Sequence, residues 1–247
     1  MLRKGVRVLS KKICEGKTKI VYKADRSDAV LLKFKDDITA LDGKKHDTLK
    51  GKGRINAAIS AKLFKEIEKA GVSTHLIKLI PPDLMLAHKL KMIPTEVICR
   101  NYAAGHLITR LPMIKCGTKF QEPIVEFYLK NDALHDPILT EDHIPALGLA
   151  AEREVQEIKK LTKTVSKCLT KSMARRGLKL VDFKLEFGRD SKGKLRVGDE
   201  LNGDSMRLWD LKTGKGVDKD LYRKGASLNE VLKVYEELYQ RIVGRKP

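Results

Sequence analysis

Residues 180–210 read LVDFKLEFGRDSKGKLRVGDELNGDSMRLWD, and the first part alternates strictly between apolar and charged side chains. Val181, Phe183, Leu185 and Phe187 fall on one side of an extended chain, and Asp182, Lys184 and Glu186 on the other. Gly188-Arg189-Asp190-Ser191-Lys192-Gly193 carries turn residues, and a second run sets Leu195, Val197, Asp199 and Leu201 on one face. The pattern predicts a β-hairpin. A turn centred on Ser191/Lys192 places Glu186 diagonal to Asp199, and one centred on Lys192/Gly193 places them opposite. In both registers the carboxylates share a face, about 5–8 Å apart, close enough to ligate one cation. A hard divalent ion held by one or two carboxylates and phosphate oxygens is the usual Mg²⁺ arrangement. Lys184, between them, is placed to reach a phosphate or a substrate carboxylate. The same alternation describes the solvated face of an ordinary surface hairpin, so the surrounding chain has to decide.

Just before the hairpin, Glu152–Arg176 predicts a long helix with a stripe of Val155, Ile158, Leu161, Val165, Cys168, Leu169 and Met173. Acidic residues open it and arginines close it, as the helix dipole favours, and it is expected to pack on the sheet that holds the hairpin. After the hairpin, Asn202–Arg207 is a polar loop. Ser227 and Glu230 then form a capping-box pattern before Leu228, Val231, Leu232, Tyr235, Leu238 and Ile242, a C-terminal packing helix.

Towards the N-terminus, residues 8–34 read as short successive strands. Lys17 and Lys19 share a face beside Gly16, where a ligand can approach the backbone. Such a pair suits a polyphosphate, and equally protects an edge strand from aggregation. Residues 35–53, KDDITALDGKKHDTLKGKG, predict a mobile binding loop. Ile55, Ile59, Leu63 and Ile67 predict a helix ending at Gly71, and strands follow on either side of Pro81-Pro82-Asp83. Met92-Ile93-Pro94 reads as a connection between lobes, with a boundary near residue 91. Arg100 precedes Ala103-Ala104-Gly105, small residues that can offer N–H groups to an anion. The strand 124–129 leads into Lys130-Asn131-Asp132-Ala133-Leu134-His135-Asp136-Pro137. There His135 beside Asp136 invites a metal or acid–base reading, although a loop histidine is more often a hydrogen-bonding residue.

The 247 residues and 42% apolar content support a folded chain with a substantial core. No run approaches the roughly 20 apolar residues of a membrane span, and MLRKGVRVLSKK lacks the apolar centre of a signal peptide. A soluble, cytoplasmic protein is expected. Cys14, Cys99, Cys116 and Cys168 are scattered without a CxxC pair, so they are expected to be reduced, buried small hydrophobes. A formal charge of +19 makes nucleic acid the first partner to weigh. The lysines are spread along the whole chain, however, and 5% aromatics are few for a base-stacking platform. Small anionic ligands fit better.

Taken together, these segments resemble the SAICAR synthetase family, the phosphoribosylaminoimidazole-succinocarboxamide synthases of purine biosynthesis. The likeness runs in order through Glu15–Lys19, Met92–Asn101, Leu129–Pro137, Leu180–Gly188, Gly198–Glu200, Arg207–Asp210 and Asp218–Asp220, and the block Val-Asp-Phe-Lys-Leu-Glu-Phe-Gly is its most specific part. The resemblance implies a two-lobed α+β fold related to ATP-grasp enzymes and kinases, with mainly antiparallel sheets and a C-terminal packing helix. Its lobes would be a nucleotide-binding one over 1–90 and a substrate- and metal-binding one over 91–247. It implies ATP and Mg²⁺ as cofactors. Carboxyaminoimidazole ribonucleotide and L-aspartate are the implied small-molecule substrates, with neither nucleic acid nor membrane as partner and a homodimer as a candidate assembly. Lys17, Lys19 and Lys130 would hold ATP phosphates, Met92 would lie at the adenine hinge, and Glu186 and Asp199 would carry the metal. Arg100 and Arg207 would grip the ribonucleotide phosphate region, with His106 nearby. Lys184, Asp182 and Asp136 would line the reacting groups, and the loop 36–53, with Asp37, would close over aspartate. Three positions depart from the family pattern: His106 replaces the usual Ser, Asn202-Gly203 the usual Ser/Thr-Pro, and Leu41 a frequent Gly. The rivals are another carboxylate–amine ligase on this scaffold and a basic nucleic-acid-binding protein, the latter disfavoured by the acidic hairpin face.

Overall fold

Short β-rich segments separated by turn residues pair locally in the first part of the chain. The computed structural model describes residues 11–40 and 44–244. In chain order it holds β1 (Lys12–Glu15), β2 (Lys19–Lys23), β3 (Ala29–Phe34), β4 (Asp37–Ala40), β5 (Lys45–Thr48), α1 (Lys52–Lys69), β6 (Leu76–Ile80), β7 (Leu84–His88) and β8 (Lys91–Tyr102). Then come α2 (His106–Arg110), β9 (Lys119–Leu129), β10 (Ile138–Leu139), α3 (His143–Ala146), α4 (Glu152–Ala174), β11 (Leu178–Arg189), β12 (Leu195–Val197), β13 (Met206–Asp210), α5 (Asp220–Arg223) and α6 (Leu228–Val243). The fold is α+β. One antiparallel sheet has the order β1-β2-β3-β7-β6, and a six-stranded sheet has the order β10-β9-β8-β11-β12, with β13 also on β11. Among the described residues no helix is long and apolar enough to cross a membrane.

β11 is the spine of the second sheet. Its Phe183, Leu185 and Phe187 are buried in a core that takes in α4, α1 and α6, whereas Val181 is buried outside that core, at an irregularity in the pairing with β13 between Leu180 and Asp182. Its charged side is buried too: Asp182 is 7% exposed and Glu186 3%. β8 lies along one edge of β11, pairing Arg100 with Asp182 and Glu96 with Glu186. The charged face therefore belongs to a central strand and is not the solvated side of a surface hairpin. Gly188 lets β11 run against the start of β8, since a Cβ there would lie 2.9 Å from Leu90 and 3.0 Å from the Lys91 carbonyl oxygen.

Several expectations need correction. Arg189 pairs with Leu195, so the hairpin turn is centred on Lys192, between the two registers expected. Continued regularly, that register would send Asp199 to the face opposite Glu186. β12 instead stops at Val197, and Asp199 turns through a positive φ of 55°. Residues 37–40 and 45–48, expected within a loop, are strands. They form the antiparallel ribbon β4–β5, which buries Ile38 and Ala40 because its apolar positions face inward. Leu41 lies outside the described residues, as do residues 8–10 and most of the N-terminal stretch. Lys17 sits on the turn between β1 and β2, where the Gly16 N–H donates to the Lys19 carbonyl oxygen at 2.8 Å, so it does not share a strand face with Lys19. Met92 belongs to β8 and not to a connecting loop. Of the four free cysteines, Cys99 is buried but Cys14 and Cys116 are exposed. The capping box is present: the Ser227 Oγ accepts from the Glu230 N–H while the Glu230 carboxylate accepts from the Ser227 N–H.

Candidate active site

The turn at Asp199 brings its carboxylate round to the charged face of β11, and lysines from three parts of the chain converge there. Lys184 Nζ lies 3.3 Å from Glu186 and 3.9 Å from Asp199, and 2.6 Å from Glu96 on β8. Lys130 Nζ reaches Glu186 at 2.5 Å. From the first sheet, Lys19 Nζ reaches Asp199 at 2.9 Å and Glu200 at 2.7 Å. Asn202, fully buried, steadies this end of the chain. Its Nδ2 donates to Glu200 at 3.2 Å and to Ser60 at 3.1 Å, and its Oδ1 accepts from the Asp204 N–H at 2.9 Å. The Asn-Gly departure from the family pattern is thus accommodated.

The electrostatics follow from crowding. Burial and the neighbouring Asp199 charge push the Glu186 carboxyl up, against the pull of Lys184 and Lys130. Burial also works to raise Asp199, but Lys19, Lys184 and Lys130 outweigh it and hold that carboxyl well below its usual range. Lys184 resists burial through Asp199, Glu186 and Glu96, and its ammonium is held well above its ordinary value. Of the two acids, Glu186 is the one whose negative form is disfavoured.

These donors fit a hard divalent cation. Two carboxylates face one another, and one of them is disfavoured as an anion until a cation arrives. Among the described residues no group of three or more His, Cys, Asp and Glu side chains is arranged to hold a metal, so phosphate or water would have to complete the shell.

A second constellation continues across the same face. Asp182 takes Arg100 at 3.2 Å and Arg207 at 2.5 Å. Arg100 Nε donates to Glu126 at 2.5 Å, and Glu126 also receives Arg110. Arg207 Nε donates to Asp220 at 2.7 Å, which in turn receives Arg223. Burial raises the Asp182 carboxyl despite both arginines. Gly105, at φ 57°, lets the backbone press on Arg207, for a Cβ there would sit 2.8 Å from a guanidinium nitrogen.

The remaining expected residues are placed as follows. Met92 is 40% exposed and lies over Gly188 and Gly198. Lys17 reaches Asp132 at 2.8 Å. Asp37 takes Lys35 at 2.6 Å, and its carbonyl oxygen accepts from Lys52 at 3.1 Å. His106 is the exposed first residue of α2. Asp136 and His135 both have positive φ, and the Asp136 carboxylate accepts from the Asn131 N–H at 2.7 Å, which ties it into its own loop. Glu96, Glu126, Arg110 and Glu200 escaped the sequence reading. Glu126 and Tyr128 do alternate onto one face of β9, but only the pairing of β9, β8 and β11 reveals that face as the site.

A lysine of one antiparallel sheet meeting paired carboxylates of another, beside a row of arginines, defines an α+β enzyme site for phosphorylated small molecules. The SAICAR synthetase family model matches residues 12–242, and the chain belongs to that family. The phosphoribosylaminoimidazole-succinocarboxamide synthase of Sulfurisphaera tokodaii is 50% identical over 231 residues, covering 94% of this chain and 97% of the relative. That of Sulfolobus acidocaldarius is 47% identical over 232 residues, covering 94% and 98%. The crystal structure of the synthase from Ehrlichia chaffeensis superposes with a TM-score of 0.91 at 39% identity, covering 96% of this chain and 100% of that one. A SAICAR synthetase in complex with ADP gives 0.89 at 42% identity, covering 95% and 98%.

Proposed function

We propose that the chain joins the carboxylate of carboxyaminoimidazole ribonucleotide to the amine of L-aspartate, giving SAICAR, ADP and phosphate through an acyl phosphate. It is an ATP-dependent carboxylate–amine ligase of purine biosynthesis, and the ADP bound by a 42%-identical relative supports the nucleotide's role. The observation that carries the reading is the Glu186–Asp199 pair framed by Lys19, Lys130 and Lys184.

A carboxylate is a poor electrophile. Transfer of the γ-phosphoryl group gives it a leaving group, which the aspartate amine then displaces. Such transfer depends on positioning and charge neutralisation. Lys17, Lys19 and Lys130 hold the ATP phosphates, and Met92 lines the adenine side. Glu186 and Asp199 hold Mg²⁺, which when bound neutralises phosphate charge. Lys184, Asp182 and Asp136 line the carboxylate and imidazole of the ribonucleotide, and Arg100, Arg207 and His106 line its phosphate region. The β4–β5 ribbon with Asp37 covers aspartate and keeps water from the acyl phosphate. In this reading residues 1–90 form the nucleotide lobe and 91–247 the substrate lobe of an ATP-grasp- or kinase-like scaffold, working in the cytoplasm, with a homodimer as the candidate assembly.

Phosphate release measured with ATP, the carboxylated ribonucleotide and aspartate, omitting each in turn, tests the assignment. Release is expected only with all three present. Equal release with another ribonucleotide or amine would move the chain to a different ligase specificity, and release without aspartate would remove the ligation step.

A further inference from the structure

Arg110 is absent from the functions assigned so far, yet it closes one end of the row of arginines and carboxylates on the charged sheet face. Its guanidinium donates to Glu126 Oε1 and lies over the Tyr128 ring, 5.9 Å from the centroid. Glu126 does not depend on it: Oε2 already accepts from Arg100 Nε at 2.5 Å and from the Tyr128 hydroxyl at 3.0 Å. Arg110 can leave without stranding a buried charge, and its side chain is 34% exposed. Arg100 differs. Only 4% of its side chain is exposed, and each guanidinium nitrogen faces a protein oxygen, on Glu126, Asp182 or Tyr128. Of these two arginines, Arg110 is the one with donors open to an incoming anion. It stands four residues after His106 on α2, so the two side chains share a helix face.

We propose that Arg110 binds the phosphate of the ribonucleotide substrate, with Glu126 as its counter-ion when no ligand is present. This rests on the ribonucleotide being the substrate, as argued above. The phosphate takes over the contact that Glu126 Oε1 makes with Arg110 in its absence, and Arg100 and Tyr128 keep Glu126 satisfied.

The test compares the unaltered protein with Arg110→Met and Arg110→Lys in steady-state phosphate release. Arg110→Met should raise the KM for the ribonucleotide about ten-fold, the value of one charge-assisted contact. kcat and the KM values for ATP and aspartate should stay within about two-fold. Arg110→Lys should recover part of the loss. The nucleoside lacking the 5′-phosphate, measured as an inhibitor, should bind both proteins alike, which a merely structural role for Arg110 would not produce. An unchanged ribonucleotide KM, or the same penalty on the nucleoside, overturns the proposal. If the unaltered protein fails to use the ribonucleotide, the functional reading falls. Calorimetry of ribose 5-phosphate binding to unaltered protein and Arg110→Met then still decides the Arg110 assignment, with equal binding counting against it.

Discussion

Two clusters in this molecule join lysine to aspartate away from bulk water, and they are built to opposite ends. Around Asp204 every charge is closed off. Lys52, at 0% side-chain exposure, meets it at 2.5 Å, Asn56 donates at 3.0 Å, and the Tyr235 hydroxyl completes the set. Around Asp199 two acids crowd each other, and the cations are partly open, with Lys184 28% exposed and Lys130 47%. A buried pair with all its partners serves the fold. Like charges held together beside accessible lysines carry a cost that a ligand can relieve, and such sites are where chemistry is expected.

The largest effect should come from breaking the open cluster. Glu186→Gln removes a carboxylate whose negative form is already disfavoured by burial. Phosphate release should fall by about 100-fold or more, while the thermal midpoint stays unchanged or rises as the repulsion with Asp199 disappears. Near-normal turnover would refute the metal assignment. Lys52→Met tests the closed cluster and should do the reverse. It leaves Asp204 buried without its cation, so urea unfolding should show a loss of about 3–5 kcal/mol, with kcat per folded molecule retained. A stable but inactive variant would move Lys52 into the site and erase the contrast between the clusters.

That contrast was only half legible beforehand. The periodicities of α4, α6 and most of β11 are plain, because each turns its apolar residues to one face, although in β11 the charged face is buried as well. The convergence of Glu186 and Asp199 was expected for the wrong reason. Pleat register alone would have separated them, and the left-handed turn at Asp199 reunites them. A single positive φ at a residue other than glycine leaves little trace in sequence, although aspartate tolerates it better than most. Glu96, Glu126 and Arg110 were hidden because their meaning comes from strand pairing over long sequence separations. The β4–β5 ribbon is hidden because it lies in a polar, Gly-containing stretch with the composition of a loop, and within its strands only Ile38 and Ala40 mark its buried side.

A finer test lies beside the arginine row. Asp218 Oδ2 accepts from the Leu208 N–H and Oδ1 from the Asp220 N–H, both at 2.7 Å, joining β13 to α5. Burial, then the Asp220 charge, push its carboxyl up to about 7 despite those bonds. The folded protein therefore keeps a proton that the unfolded chain releases near the ordinary value of 3.8. This contribution favours folding at low pH and is lost as pH rises through about 7. Asp218→Asn should flatten that fall, with a difference from the unaltered protein of up to about 1.4 kcal/mol per pH unit. Denaturant midpoints across the range would show it, and parallel profiles would mean that Asp218 titrates normally.

The smallest effect belongs to a feature with no part in either cluster. Ser227 starts α6 by accepting from the Glu230 N–H at 3.4 Å, while Glu230 returns a bond to the Ser227 N–H at 2.9 Å. Ser227→Ala frees one helix N–H to water at an exposed end and should cost about 1 kcal/mol, read as a lower denaturant midpoint with KM values unchanged. The interest lies in the transmission. α6 carries Tyr235, whose hydroxyl closes the Asp204 cluster. If fraying at Ser227 reached Tyr235, the Ser227→Ala and Tyr235→Phe penalties would fail to add, whereas additive penalties would show the cap and the closed cluster to be independent. Additivity is the expected outcome, because Tyr235 sits two turns along a helix whose buried face holds it through Val231, Leu238 and Ile242.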